Sequence, residues 1–329
     1  MKVSVVHIGK TILFSSLAFI FLFFAFKHVD FSSFWTDITQ ANYWWVAIAI
    51  VCALIGYILR AVRWNLLLEP LGYTPSKINS FHAVVFGYFA NLAFPRLGEV
   101  ARCGVLNRKE QIPIDTLVGT VIIERIIDLV MLALLTIITF FIKIDFFGSF
   151  IYQHIVLPSS EAVGRNYILI VSVLVTMTIV FFVLLRYSSK TNLIYQKIQS
   201  FCRGILHGIV SIKSVSNKPL FVIYTVAIWA MYWLMSWLVC FSFEATSHFT
   251  AVDGLFLLIV GGIGMAVPVQ GGIGVFHFIT AQAITMYGLS EHTGLLYATV
   301  NHESQLLFII VMGCISSFYI FIAKNKQHV

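Results

Sequence analysis

Charge is scarce in this chain: Asp, Glu, Lys and Arg make up 11% of its 329 residues and apolar residues 59%, against about a quarter and about half in soluble domains. Mean hydropathy is +0.92. That excludes water as the main solvent. The five cysteines (Cys52, Cys103, Cys202, Cys240, Cys314) are odd in number and scattered, with no Cys-x-x-Cys, which excludes a disulfide framework or a zinc ribbon. They read as small apolar packing residues. No Gly-x-Ser-x-Gly, P-loop, dinucleotide fingerprint or His-Glu-x-x-His occurs, so no nucleophile for covalent catalysis is visible. His82, His277, His302 and Glu303 share no ligand spacing, and neither a cofactor nor a metal is called for. The apolar stretch that begins near Ile8 is too long for a signal-peptide core and lacks a small-residue cleavage pattern before Lys27, so it reads as a retained span.

Long hydrophobic runs are what the chain has instead. Full spans are expected at 8 to 27, 42 to 59, 114 to 142, 166 to 185, 219 to 242 and 293 to 322. Two more apolar stretches, 78 to 95 and 254 to 288, are broken by proline and glycine at Phe94-Pro95-Arg96-Leu97-Gly98 and Val267-Pro268-Val269-Gln270-Gly271-Gly272. The fold class is therefore an all-α polytopic membrane protein. It has about six transmembrane helices and two re-entrant or broken helical segments, in a single integral membrane domain over 1–329.

The net charge of +7 reports topology rather than nucleic acid. With the N-terminus inside and both broken segments returning to their own side, 17 of the 21 Lys and Arg fall in cytoplasmic segments. Lys27, Lys143 and Arg165 fall outside and Arg125 lies in the membrane, which is the positive-inside pattern. Both termini are then cytoplasmic. Between 190 and 215, Ile194, Ile198, Phe201, Ile205, Ile209 and Ile212 recur at helical spacing among Lys190, Lys197, Arg203 and Lys213. This predicts an amphipathic helix on the cytoplasmic surface, or an ordinary linker helix with positive-inside charge.

Two pieces of the chain recur. Gly87 to Gly98 matches Gly261 to Gly271 or Gly272, and Thr120-Val121-Ile122-Ile123-Glu124 matches Thr299-Val300-Asn301-His302-Glu303. Their order is the same in both halves, and the topology makes the halves, 42–142 and 219–322, inverted. Inverted repeats with broken helices near the midplane are a transporter architecture. The breaks at Pro95, Gly98, Pro268, Gly271, Gly272 and Gly274 would act as hinges, unless the glycines only permit tight helix packing.

Glu124, Arg125 and Asp128 share one expected span. A charged residue at a helix centre costs about 2.5–3.5 kcal/mol on insertion scales, so three cannot face lipid. They form a structural ion pair or line a path for a headgroup or ion. Arg96, Glu99 and Arg102, after the first break, join charge to free backbone donors and suit a phosphate. Arg60, Arg63 and Trp64 read as anchors closing the second span at the interface. In the second half His277, Asn301, His302, Glu303 and Gln305 supply unusual polarity, and His302 with Glu303 could carry protons.

Leu97-Gly98-Glu99-Val100-Ala101-Arg102, Glu124-Arg125-Ile126-Ile127-Asp128 and Pro268-Val269-Gln270-Gly271-Gly272-Ile273-Gly274-Val275-Phe276 together resemble the three signatures of the lysylphosphatidylglycerol synthase transmembrane (flippase-like) family. The likeness runs from about residue 8 to 322. It implies a protein of the cell (inner) membrane that moves a modified or isoprenoid-linked lipid between leaflets, often beside a separate lipid-modifying enzyme. No synthase activity is implied, because the chain ends at Val329 without an aminoacyl-transferase domain.

The leading expectation is a lipid flippase-like protein rather than an enzyme. A headgroup would enter a polar cavity lined by Arg96, Glu99, Arg102, Glu124, Arg125, Asp128, His277, His302 and Glu303 while the acyl chains stay in lipid. Its partners are then membrane lipids. The rivals are an ion-coupled transporter of a small solute, an enzyme transferring a group onto a lipid carrier, and a noncatalytic partner of a synthase.

Overall fold

The computed structural model describes residues 19–27, 29–94, 97–151, 217–267 and 269–322, together with Ser16 and Val215. The expected span at 166 to 185, the surface helix at 190–215 apart from Val215, and Pro95, Arg96 and Pro268 lie outside the described residues. Among the described residues there is no strand. Residues 19–26 are helical and are followed by α1 (Phe31–Thr39), α2 (Tyr43–Leu68), α3 (Lys77–Ala93), α4 (Leu97–Glu110), α5 (Ile114–Ile142) and α6 (Ile144–Ile151). After the undescribed stretch come α7 (Lys218–Cys240), α8 (Ala251–Ala266), α9 (Val275–Thr285) and α10 (Glu291–Ile322).

Local chemistry sets the helix ends. Asn42 caps α2 by accepting from the Trp44 amide at 3.2 Å, and Asn217 caps α7 by accepting from the Leu220 amide at 3.1 Å. Thr250 and Asp253 form a reciprocal capping box at the start of α8, satisfying amide donors that have no partner inside the helix. The two breaks obey a shared rule. Phe94, which precedes Pro95, is extended at φ −141°, ψ 127°, and Val267, which precedes Pro268, is extended at φ −65°, ψ 132°. A proline ring clashes with a helical residue before it and pushes that residue into the extended region.

After each break the chain folds back, with glycine at the closest approach. A Cβ on Gly98 would overlap the Gly87 carbonyl oxygen, and one on Gly261 would lie 2.7 Å from the Phe276 ring. The second break continues through a 3-10 turn, Gln270–Gly272, to α9, with Gly271, Gly272 and Gly274 at φ 58°, 77° and 83°. Those left-handed angles favour glycine. The two breaks also meet, since a Cβ on Gly271 would sit 3.3 Å from Leu92 of α3.

Helices α2, α7 and α10 are long and apolar enough to cross a bilayer. α5, at 29 residues, has the length as well and carries Glu124, Arg125 and Asp128. The distribution of side chains is inside-out relative to a water-soluble protein. Phe318 and Phe321 are 69% and 74% exposed, while Arg60, Arg63, Arg102 and Glu124 are buried. Exposed apolar area on this scale belongs in lipid. The interior holds two main apolar clusters. One joins α2, α3, α4 and α5 through Trp64, Ala83, Leu106, Leu117 and Val121. The other joins α2, α7, α8, α9 and α10 through Ala49, Val239, Leu257, Ile284 and Tyr297. Of the expected spans, 114 to 142 coincides with α5, and 219 to 242 and 293 to 322 fall within two residues of α7 and α10. The span at 42 to 59 was expected to close at Arg60, whereas α2 runs on to Leu68.

Candidate functional site

The first site is built where α2, α4 and α5 converge. Arg60 and Arg63 lie three residues apart and Glu124 and Asp128 four, so each pair occupies one helix face. The two faces meet. Arg60 pairs with Glu124 and, at 3.1 Å, with Asp128. Arg63 reaches Asp128 at 2.8 Å and Glu124 at 3.4 Å. From α4, Arg102 Nη1 donates to Glu124 Oε2 at 3.1 Å, and its guanidinium lies 4.8 Å from the centre of the Trp64 ring. Arg125, 43% exposed, pairs with Glu99 at 3.2 Å and stands farther from Glu124 and Asp128, at 3.7 and 3.8 Å.

Tyrosines extend the network into α7 and α3. Arg60 Nη1 donates to the Tyr232 hydroxyl at 2.8 Å, which lies 3.3 Å from that of Tyr88. Trp64 Nε1 donates to Thr120 Oγ1 at 2.9 Å. Four guanidiniums thus face three carboxylates, Glu99, Glu124 and Asp128. The cluster keeps one positive charge.

A cleft of about 50 Å³ adjoins this network, lined by Tyr88, Asn91, Gly98, Glu99, Arg102 and Arg125, among others. Arg102 is 3% exposed, yet its Nη2 is buried with no hydrogen-bond partner. A buried donor left unmatched costs about 1–3 kcal/mol or more when charged; this nitrogen exposes less than 1 Å², so an acceptor in the cleft would meet it only after a shift of the guanidinium. At about 10–15 Å³ of such space per water, the cleft holds a few waters or a small anionic group.

A second group of side chains meets where α9, α10 and the 270–272 turn join. His277, His302 and Glu303 each bring one ligand-type atom to within 4.8 Å of the others. His277 Nε2 and His302 Nδ1 stand 3.4 and 3.2 Å from the same Glu303 oxygen, and His302 Nε2 is 2.8 Å from the Gly271 carbonyl.

The profile of the lysylphosphatidylglycerol synthase TM region family matches residues 8–313. The chain belongs to that family. It is also similar to a UPF0104 membrane protein of Methanocaldococcus jannaschii, 25% identical over 126 residues that make up 37% of this chain and 38% of that protein. The chain thus aligns with well under half the length of this relative. No solved structure matches it.

For this member of the lysylphosphatidylglycerol synthase TM region family, the residues expected to carry chemistry fall into two places. Glu99, Arg102, Glu124, Arg125 and Asp128 come together in one network, and His277, His302 and Glu303 in another. One expectation needs correction. Arg60 and Arg63 are not surface anchors, because each is at most 3% exposed and both hold Glu124 and Asp128. Arg125, expected either to hold a phosphate or to balance Glu124 and Asp128, lies 3.7 and 3.8 Å from those carboxylates, and Arg60, Arg63 and Arg102 stand closer. The matched spacings of Arg60 with Arg63 and of Glu124 with Asp128 were the available signal. A hydropathy window ending at the first arginine conceals it.

Proposed function

We propose that this protein binds the phosphate of an anionic or isoprenoid-linked lipid headgroup at the arginine cleft and passes it between leaflets, with the acyl chains remaining in the bilayer. The observation that carries this reading is the surplus positive charge beside a small cleft lined by Arg102 and Arg125. Arginine suits phosphate because its planar fork offers several donors. Membership in a family named for a phospholipid synthase's membrane part is consistent with a lipid substrate. Glu99 and Arg125, at the partly exposed side of the cluster, would admit the headgroup. The contact between the two breaks is compatible with inverted halves that rock about Gly98 and Gly271, in a cell membrane protein with cytoplasmic termini and a separate lipid-modifying enzyme as partner. Glu124 and Asp128 are each held by at least two arginines, so neither of these two carboxylates is free to couple a cation.

The test is reconstitution of the full chain into vesicles carrying labelled phosphatidylglycerol-type or polyprenyl-phosphate lipids, with a zwitterionic lipid for comparison. Leaflet exchange of the anionic lipids should exceed that of protein-free vesicles and fall in Arg125→Gln. Absence of exchange for every phosphate lipid, beside an active control flippase, would remove the proposal.

A further inference from the structure

From the donor and acceptor arrangement around His302, we propose that His277 Nε2, His302 Nδ1 and a Glu303 carboxylate oxygen form a three-ligand site for a divalent transition metal of the zinc class.

A neutral imidazole has one N–H donor and one lone-pair nitrogen. His302 Nε2 lies 2.8 Å from the Gly271 carbonyl oxygen, which can only accept, so the proton belongs on Nε2. The lone pair of Nδ1 then points at Glu303 Oε1, 3.2 Å away, which is also an acceptor. Two acceptors stand face to face, and a cation between them resolves the conflict.

Distance separates a metal from a proton. An imidazolium bound to a carboxylate makes a charge-assisted hydrogen bond of about 2.7–2.9 Å. Four ligands at about 2.0–2.1 Å around a tetrahedral ion are separated by about 3.3–3.4 Å. The two contacts to Glu303 Oε1 are 3.2 Å from His302 and 3.4 Å from His277, close to that edge, while the three ligand atoms lie within 4.8 Å of one another, so the two imidazoles would close on the ion as it binds.

The surroundings also fit a metal site. A ligating histidine commonly donates its other N–H to a backbone carbonyl, which fixes its tautomer, and Gly271 supplies that carbonyl. His277 is 2% exposed and its Nδ1 has no hydrogen-bond partner, so no neighbour fixes its tautomer, and with Nε2 ligating the Nδ1–H stays unmatched. Glu303 is 40% exposed and provides a path of entry. Two imidazoles and one carboxylate leave a fourth position for water or an external ligand. The ion would tie α9 and α10 to the glycine turn of the second break. This inference stands independently of the lipid reading.

The test uses the full-length protein, purified in detergent without a polyhistidine tag, stripped with chelator and dialysed against zinc or cobalt alone. Elemental analysis should find about one zinc per chain, and cobalt should give the intense visible absorption of a four-coordinate site. His302→Ala and Glu303→Gln should each weaken binding roughly tenfold or more. His82→Ala, whose ring is bonded to Ser316 and stacked on Tyr319, should leave binding unchanged. Elution volume and thermal unfolding of each variant separate lost metal from lost fold. Substoichiometric zinc in the folded wild type, or equal binding by folded Glu303→Gln, would overturn the site.

Discussion

Replacing Glu124 by Gln is the most searching perturbation of the buried network. The side chain is 0% exposed and is contacted by Arg60, Arg63, Arg102 and, at longer range, Arg125. Glutamine keeps the shape and removes the charge, so packing is preserved while four guanidiniums face only two carboxylates. Removing one partner of a buried ion pair costs about 3–5 kcal/mol, because the remaining charge is left uncompensated. Glu99→Gln is the internal comparison. Its carboxylate is 36% exposed, and an exposed ion pair contributes at most about 1 kcal/mol. Unfolding of both variants in one detergent, followed by tryptophan fluorescence and by loss of the monodisperse elution peak, measures the difference. Glu124→Gln should be the less stable by at least about 2 kcal/mol, the smallest gap between those two ranges. Because the pairs share partners, adding Arg63→Met should recover part of the loss instead of deepening it, a coupling that a double-mutant cycle reads directly. Equal stability of the two single variants would refute the view that buried charge balance holds α2, α4 and α5 together.

Three further outcomes follow from the packing. Gly98→Ala should destabilise by about 1–3 kcal/mol, since its Cβ would overlap the Gly87 carbonyl oxygen, while Gly104→Ala, with nothing within 4 Å, should be neutral in the same unfolding assay. Gly271→Ala places a side chain at φ 58° and should cost about 1–2 kcal/mol, read as faster protease cleavage near the second break. Asp253→Asn removes the charge that pairs with Lys143 and weakens the reciprocal cap with Thr250. Loss of a cap costs about 0.5–2 kcal/mol, and hydrogen exchange in the first turn of α8 should rise with no change in α10.

Composition and hydropathy were sufficient to read the solvent, the helical class and several element limits. A run of about 20 apolar residues has few alternatives in lipid, where every backbone group must be bonded within its own segment. Pro95 and Pro268 marked the breaks for an equally local reason, visible in the extended Phe94 and Val267. The charges were legible only in part. Glu124 and Asp128 declared themselves by being too costly for lipid, but which arginines answer them depended on where α2 passes α5, some sixty residues away in sequence.

Arg60 shows the limit most plainly. Its sequence neighbourhood is that of an interfacial anchor, and its burial against Glu124 and Tyr232 arises from helix crossing. His277, His302 and Glu303 show the same limit from the other side. They follow no ligand spacing along the chain, because one lies on α9 and two on α10, and only the turn at Gly271 brings His302 Nε2 onto a carbonyl. Hydrophobicity acts residue by residue and can be read from the sequence alone, whereas charge and metal-ligand chemistry act between atoms that only the packed helices bring within reach.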